Sequence, residues 1–163
     1  PITSFTMALT TYTSQNLGAR QYDRAKKGAR FGILSAITLA ELIGVGMYVF
    51  APQLISIFTP TPEVIALGTQ QARTIALFYC LLAYSHAVAS VCRGAGKAFV
   101  PMTIMLATWC ALRIVYITTV MHIVHEIQYI YWAYPLTWSV SSVIYFNNYH
   151  RSDWIHGFEA KEH

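Results

Sequence analysis

Charged side chains are scarce in this chain. Only 11% of its 163 residues are Asp, Glu, Lys or Arg and 55% are hydrophobic, whereas soluble globular domains carry about 25% charged residues. Seven residues in the whole sequence are acidic. This composition excludes an ordinary soluble domain and indicates a protein that is solvated mainly by lipid.

Residues that bind metals or carry out nucleophilic catalysis are also few. The chain contains three cysteines, namely Cys80, Cys92 and Cys110. Their odd number and wide spacing predict neither a disulfide framework nor a zinc site. His122, His125 and Glu126 lack the two-His-plus-Glu order of zinc hydrolases, and no set of Ser, His and Asp residues suggests a catalytic triad. We therefore expect no metal, no cofactor and no enzymatic activity.

Long apolar stretches make up most of the chain, at approximately 31–51, 74–92, 98–121 and 128–147. Each is close to the ~20 residues that a helix needs to cross ~30 Å of hydrocarbon. Only Glu41 and Arg113 are charged within them. The sequence therefore predicts an all-α, polytopic transmembrane helix bundle of about four full spans, preceded by residues 1–17 as the end of another helix. Because the chain starts at Pro1 rather than Met, we expect it to be the downstream end of a longer protein.

Basic residues are concentrated in alternate connections between these stretches. Five lie between positions 20 and 30, before the first stretch, and Arg93 and Lys97 follow the second. Short cationic connections remain cytoplasmic, which predicts an in–out–in–out–in path through the inner (plasma) membrane and a cytoplasmic tail. The basic run directly precedes a membrane span, so we do not expect it to bind nucleic acid.

Helix packing and helix ends also leave marks in the sequence. The hydroxyl-rich residues 1–17 suit a face that packs on other helices or lines a polar cavity, and small residues recur every fourth position from Gly28 to Gly44, which permits close helix contact. Pro52 is expected to end the first span, and Glu63 to begin a short amphipathic helix at the outer surface.

Two ionisable side chains lie deep in the predicted spans. Glu41 is about ten residues from either end of its span, near the membrane midplane at ~1.5 Å per residue, where an ionised and unpaired carboxylate is costly. It therefore binds a substrate cation or coupling ion, or it is a neutral, hydrogen-bonded residue between helices. Arg113 stays charged, and we expect it to pair with Glu41 or with carbonyls of a neighbouring helix.

The second span carries further polar side chains on one stripe. Tyr79, Ala83, His86, Ser90 and Arg93 follow one another at spacings of four and three residues, which places them on one helix face. His86 either relays protons or makes a hydrogen bond between helices. Together with Glu41 and Arg113, the aromatic Tyr79 and His86 complete the set of candidate substrate-binding or ion-coupling residues.

Short motifs along the chain resemble those of one transporter family. Residues 15–20 read Gln-Asn-Leu-Gly-Ala-Arg and residues 22–28 read Tyr-Asp-Arg-Ala-Lys-Lys-Gly. They resemble the cytoplasmic loop after the second helix of each six-helix lobe in the multidrug and toxic compound extrusion (MATE) transporters. Further likenesses follow in the family's order, at residues 54–59, 62–65, 93–96, Pro101, Trp109 with Arg113, and 138–142.

The resemblance implies that residues 1–149 form the C-terminal part of the second lobe and that residues 150–163 form a cytoplasmic tail. The N-terminal lobe of the same protein would then be the missing partner. The implied activity is export of cationic or amphipathic small molecules in exchange for H⁺ or Na⁺ by alternating access. The family's coupling acids lie in the first helix of the N-terminal lobe or in helices seven and ten. Span two corresponds to helix ten and has no Asp or Glu, which suits coupling through the first lobe.

Two other functions stay open. One is a lipid-linked oligosaccharide flippase of the same superfamily, which needs a cationic cavity, with Arg113 and His86 as the candidate residues. The other is a truncated membrane subunit that does not transport by itself.

Reporter fusions to the full-length protein test the predicted topology. Fusions after Lys26 and after Lys97 should both be fluorescent with a cytoplasmic reporter and inactive with alkaline phosphatase, because basic connections stay inside. A fusion after Pro60 should show the opposite pattern and serves as the control. Placement of the Lys26 and Lys97 fusions on different sides of the membrane would contradict the topology.

Overall fold

The computed structural model describes residues 2–123 and 127–155, and within these ranges the regular structure is entirely helical. The helices are α1 (Ile2–Gly18), α2 (Tyr22–Ser56), α3 (Pro62–Ala76), α4 (Tyr79–Gly94), α5 (Phe99–Ile123), α6 (Ile127–Tyr131) and α7 (Ala133–Arg151). Residues Leu106–Leu112 of α5 form a π-helical stretch. The predicted all-α helix bundle is confirmed.

Within the part of the chain that the structure describes, two single helices are long and apolar enough to cross a membrane. They are α2, with 35 residues, and α5, with 25 residues. A third span arises if α3 and α4, which are bent by 53° relative to each other, cross together. The fourth predicted stretch corresponds to α7, in which Ser and Asn side chains are interspersed among the apolar ones.

The expectation that Pro52 ends the first span is wrong, because α2 continues through it to Ser56. Proline lacks an N–H, so the carbonyl four residues earlier, that of Tyr48, loses its helical donor. Arg73 of α3 replaces that donor. Its Nε donates to the Tyr48 carbonyl at 3.3 Å, and its guanidinium lies 5.4 Å from the centre of the Tyr48 ring.

The second predicted span, 74–92, is not one straight helix. It is divided between the end of α3 and the whole of α4, which meet at the bend between Ala76 and Tyr79. This bend packs on Gly44 of α2, where a Cβ would lie 2.7 Å from the Ala76 carbonyl oxygen and 3.2 Å from the Tyr79 ring. The glycine therefore allows the bent backbone to approach α2.

Helix α4 is the centre of the bundle and packs against α1, α2 and α7. Its small residues permit close contact with α1, since a Cβ at Gly94 would lie 2.6 Å from the Thr10 carbonyl oxygen. The Thr10 hydroxyl in turn donates to the Ser90 carbonyl at 3.1 Å. The hydroxyl-rich face of the first helix thus packs on another helix, which was one of its two predicted roles.

Hydroxyl groups also join α4 to α7. The Ser85 Oγ lies 3.1 Å from that of Ser141 and 3.0 Å from that of Ser142, and the Ser142 hydroxyl donates to the Leu81 carbonyl at 3.0 Å. All three serine side chains are buried. These bonds satisfy polar groups that would otherwise be costly in an apolar environment.

The segment after α7 folds back on the basic end of the bundle. The Lys97 ammonium donates to the Asp153 carbonyl at 2.8 Å, and the buried Trp154 stacks on Tyr149 with ring centres 5.5 Å apart. Residues 156–163, the remainder of the predicted tail, lie outside the described residues.

The contact between Arg73 and Tyr48 predicts coupling between Arg73 and Pro52. Arg73→Gln should lower the free energy of unfolding by about 1 kcal/mol, because the Tyr48 carbonyl loses its donor. In a Pro52→Ala background the loss should be smaller, since a backbone N–H at position 52 can then bond that carbonyl. Unfolding of the four variants of the full-length protein in detergent measures the difference.

The exposed Arg93, at the end of α4, offers the control. Arg93→Gln removes an equal charge and should cost the same with and without the proline. An equal cost of Arg73→Gln in both backgrounds would show that Arg73 does not replace the missing donor.

Candidate functional site

Arg113 lies at the centre of a group of polar and aromatic side chains from α5 and α7. Its Nη2 donates to the Thr137 hydroxyl at 2.9 Å. Its guanidinium carbon lies 4.5 Å from the Tyr134 ring centre and 5.7 Å from that of Trp109. Arg113 is therefore held by one hydrogen bond and by two aromatic rings, in an arrangement typical of cation–π binding.

Rings continue from this centre to α4 in two directions. On one side, Trp109 meets His86 edge to face with ring centres 5.3 Å apart. On the other side, Trp138 lies 6.0 Å from Tyr134 and stacks on Tyr79 at 6.1 Å. We name the seven residues Tyr79, His86, Trp109, Arg113, Tyr134, Thr137 and Trp138 the aromatic cluster.

The π-helical stretch of α5 contributes to this geometry. A π turn holds more residues than an α turn, so it rotates the residues after it relative to those before it. Trp109 lies within the stretch Leu106–Leu112, and Arg113 follows it directly. The wider turn thus sets the direction of Arg113 toward α7. Such stretches occur frequently at functional sites.

Glu41 lies on α2, apart from Arg113. Its side chain is half-buried, and its Oε2 is buried without a hydrogen-bond partner among the described residues. The thiol of Cys80, the residue after Tyr79, lies close enough to interact with the carboxylate. One helical turn beyond Glu41, Gly44 approaches the Tyr79 ring so closely that a Cβ there would lie 3.2 Å from it. The carboxylate is therefore next to the α4 end of the aromatic cluster.

The two partners expected for Arg113 are both wrong. In the described part of the chain it bonds neither Glu41 nor a backbone carbonyl, and a threonine hydroxyl takes their place. The reason is geometric, since Arg113 is directed toward α7 and Glu41 toward the bend of α4. The structure thus brings Tyr79, His86 and Arg113 together through intervening tryptophans and places Glu41 at the edge of the cluster.

Several polar atoms of the cluster are buried and unpaired within the described residues. They are N–H donors of Trp109, Arg113 (its Nε) and Trp138. Buried polar groups normally have partners, and each one left without a partner costs about 1–3 kcal/mol. These three donors could bind an acceptor, while the Glu41 oxygen could bind a donor or a cation.

Four residues of the cluster were not among the predicted site residues. They are Trp109, Tyr134, Thr137 and Trp138. Trp109 and Arg113 are four residues apart, so helical spacing could have linked them. Nothing in the sequence pairs Arg113 with Thr137, because that contact joins two different helices.

No three His, Cys, Asp or Glu side chains of residues 2–123 and 127–155 come close enough to hold a metal ion. His122 is exposed, and its Nδ1 lies 3.0 Å from the Thr118 carbonyl. His125 and Glu126, the other residues considered for a metal site, lie outside the described ranges.

Comparison with known proteins gives a consistent result. The family model MatE matches residues 1–119. The chain is 22% identical over 150 residues to "Probable multidrug resistance protein YoeA" of Bacillus subtilis, covering 91% of this chain and 32% of the relative.

Two further relatives carry the name "Probable multidrug resistance protein NorM". The protein of Bacillus cereus is 31% identical over 103 residues, covering 63% of this chain and 22% of the relative. The protein of Thermotoga maritima is 26% identical over 112 residues, covering 68% of this chain and 24% of the relative. The chain therefore spans about a third or less of these relatives.

The bond between Arg113 and Thr137 predicts a stability effect. Thr137→Val keeps the side-chain volume but removes the buried acceptor of a charged donor, so the free energy of unfolding should fall by about 1–3 kcal/mol. Unfolding of the full-length protein in detergent measures the change. Thr103→Val is the matched control, because the exposed Thr103 bonds only its own helix. Equal effects of the two substitutions would show that the Arg113 contact adds no stability.

Proposed function

This chain belongs to the MatE family, and from that premise we propose that it forms part of a secondary-active multidrug efflux antiporter. Relatives named as multidrug resistance proteins support a transporter of small molecules. Because the chain spans only part of their length, transport is the activity of a longer protein. Its N-terminal lobe is the partner against which the helices of this chain work.

The proposed substrates are amphipathic cations. The stacked rings of Tyr79 and Trp138 offer faces that attract a lipophilic cation, and the Glu41 carboxylate nearby supplies negative charge. One observation carries the proposal, namely the buried Oε2 of Glu41. It has no hydrogen-bond partner among the described residues and lies one helical turn from the close approach of Gly44 to Tyr79. A carboxylate in that position either binds a cation or takes up a proton.

The coupling ion is proposed to be H⁺ or Na⁺. Competition for one acidic site would link the two fluxes, because a proton or sodium ion bound at Glu41 removes the charge that attracts the drug. Acids elsewhere in the full-length protein would share this role, since the α4 helix has no Asp or Glu.

Alternating access would come from rocking of the two lobes about a central cavity. The bend between α3 and α4 supports such a motion, because two short helices can tilt separately where one long helix would move as a unit. The proposed topology keeps the basic ends of the helices, and the tail beyond α7, on the cytoplasmic side of the plasma membrane.

The second candidate function is a flippase for lipid-linked oligosaccharides. Unpaired N–H donors around Arg113 favour it, because three donors and a fixed positive charge suit a phosphate group. The aromatic faces and the carboxylate of Glu41 favour the cation exporter instead. We rank the exporter first for that reason.

Glu41→Gln in the full-length protein tests the proposal. The variant should lower resistance to tetraphenylphosphonium, a permanent lipophilic cation, by about tenfold, which corresponds to a loss of ~1.4 kcal/mol in binding. Its abundance in the membrane should be unchanged, because glutamine keeps the shape of the side chain. Growth inhibition and a membrane immunoblot are the two measurements.

Glu63→Gln provides the control, since Glu63 is an exposed acid at the start of α3 and should leave resistance unchanged. Full resistance in Glu41→Gln would assign this glutamate to helix packing. Equal loss in both variants would indicate a general effect of charge.

A further inference from the structure

A cavity lies at the basic end of the bundle, and its nearest lining residue on α2 is about two helical turns away from Glu41. Its volume is about 600 Å³, and it opens between the first turns of α2 and the end of α7 with the segment after it. Lys26, Lys27 and Arg30 line it from α2, and Tyr149 and Trp154 line it from the other side. The cavity therefore combines three cationic side chains with two aromatic rings.

The three cations are available to a ligand. All three are exposed, and in the described part of the chain none of them donates a hydrogen bond or forms an ion pair. Lys97, by contrast, is already bonded to the Asp153 carbonyl. One carboxylate, that of Asp23, also lines the cavity and offsets a single charge. The net charge of the lining favours an anion.

The same cavity continues into an apolar surface on α2. Phe31 and Leu34 line its membrane side and are 73% and 59% exposed. Lys27, Phe31 and Leu34 lie on one face of α2 by helical spacing, and the exposed Leu42 and Val45 continue that face as an apolar stripe. One helix face thus presents cations at its end and hydrocarbon below them.

This order of groups matches one kind of molecule. A phospholipid with an anionic headgroup has a phosphate at the interface and acyl chains below it, and basic pockets between helices at that depth bind such headgroups. A free phosphate would use the cations but would leave Phe31 and Leu34 uncovered. A zwitterionic phospholipid would cover the apolar stripe, but the cation of its own headgroup balances its phosphate, so it would not compensate three cations.

We propose that the cavity between α2 and α7 is a binding site for an anionic phospholipid. Lys26, Lys27 and Arg30 hold the headgroup phosphate, and Phe31 and Leu34 contact the acyl chains. Tyr149 and Trp154 close the far side of the headgroup, where aromatic residues are favoured at the membrane interface.

Native mass spectrometry of the full-length protein, purified in detergent with added lipid, tests this site without a transport assay. The wild type should retain phosphatidylglycerol in preference to phosphatidylcholine. In the triple variant Lys26→Gln, Lys27→Gln and Arg30→Gln, the ratio of bound phosphatidylglycerol to phosphatidylcholine should fall at least about tenfold. Each basic side chain near the surface raises the affinity for an anionic lipid about fivefold. Added glycerol phosphate should not displace the lipid.

A matched triple variant controls for total charge. Arg24→Gln, Arg93→Gln and Arg151→Gln remove the same charge from exposed positions on the same side, none of which lines the cavity. This variant should keep the preference. Phe31→Ser should weaken retention of both lipids, and Leu42→Ser, further along the stripe and outside the cavity, should weaken it less.

Three results would overturn the proposal. The first is a wild type that shows no preference for phosphatidylglycerol, as expected if another segment of the protein fills the cavity. The second is an equal loss of preference in the two triple variants, which would indicate a general effect of charge. The third is displacement by glycerol phosphate, which would indicate a site for a soluble anion.

Discussion

Polar groups in this bundle must find partners inside the protein, because lipid supplies none. This constraint governs the backbone where the helices are irregular. At Pro52 the freed Tyr48 carbonyl takes a donor from Arg73 of the next helix. Between α4 and α7, three serine hydroxyls bond one another and the Leu81 carbonyl. Both the carbonyl freed at the proline and the hydroxyls between helices thus find partners on a neighbouring helix.

The same constraint explains why α4 is at the centre. A helix that is surrounded by others needs small side chains, so that backbones can approach, and hydroxyls that bond across the contact. Toward α1, Gly94 lacks a side chain and the Ser90 carbonyl accepts the Thr10 hydroxyl, and toward α7 Ser85 provides the hydroxyl. In the contact between α4 and α2, the residue without a side chain is Gly44 of α2. Glycines and serines therefore set the distances at which the larger aromatic side chains meet.

The sequence predicts the elements of this fold better than their ends. Hydrophobic length and charge placement gave α2 and α5, because these depend on composition summed over a whole span. The bend between Ala76 and Tyr79 was missed, since no local helix breaker marks it and the close approach to Gly44 that accommodates it is a tertiary contact. Pro52 was misjudged for a similar reason, because its cost is offset by Arg73, 21 positions later in the chain. Local patterns do not contain such long-range compensation.

The candidate site was predictable to a similar extent. Charge inside an apolar span singled out Glu41 and Arg113, and one helix face linked Tyr79 with His86. The partners of Arg113 were not predictable, because the π-helical stretch before it changes the direction of the side chain. The aromatic residues of α7 that surround Arg113 come close only through tertiary packing. Their roles could be assigned only once the helices had been placed.

The separation of Glu41 from Arg113 bears directly on the proposed transport. Had the two formed an ion pair, each would have cancelled the charge that the other offers to a ligand. Instead the bound hydroxyl and rings stabilise the guanidinium, and the carboxylate oxygen stays unpaired at the other end of the cluster. In the proposed transporter, a cation that binds beside Tyr79 would therefore not have to displace Arg113. The arginine, which cannot release its proton, fixes a positive charge beyond the rings and would limit how far such a cation could move along them.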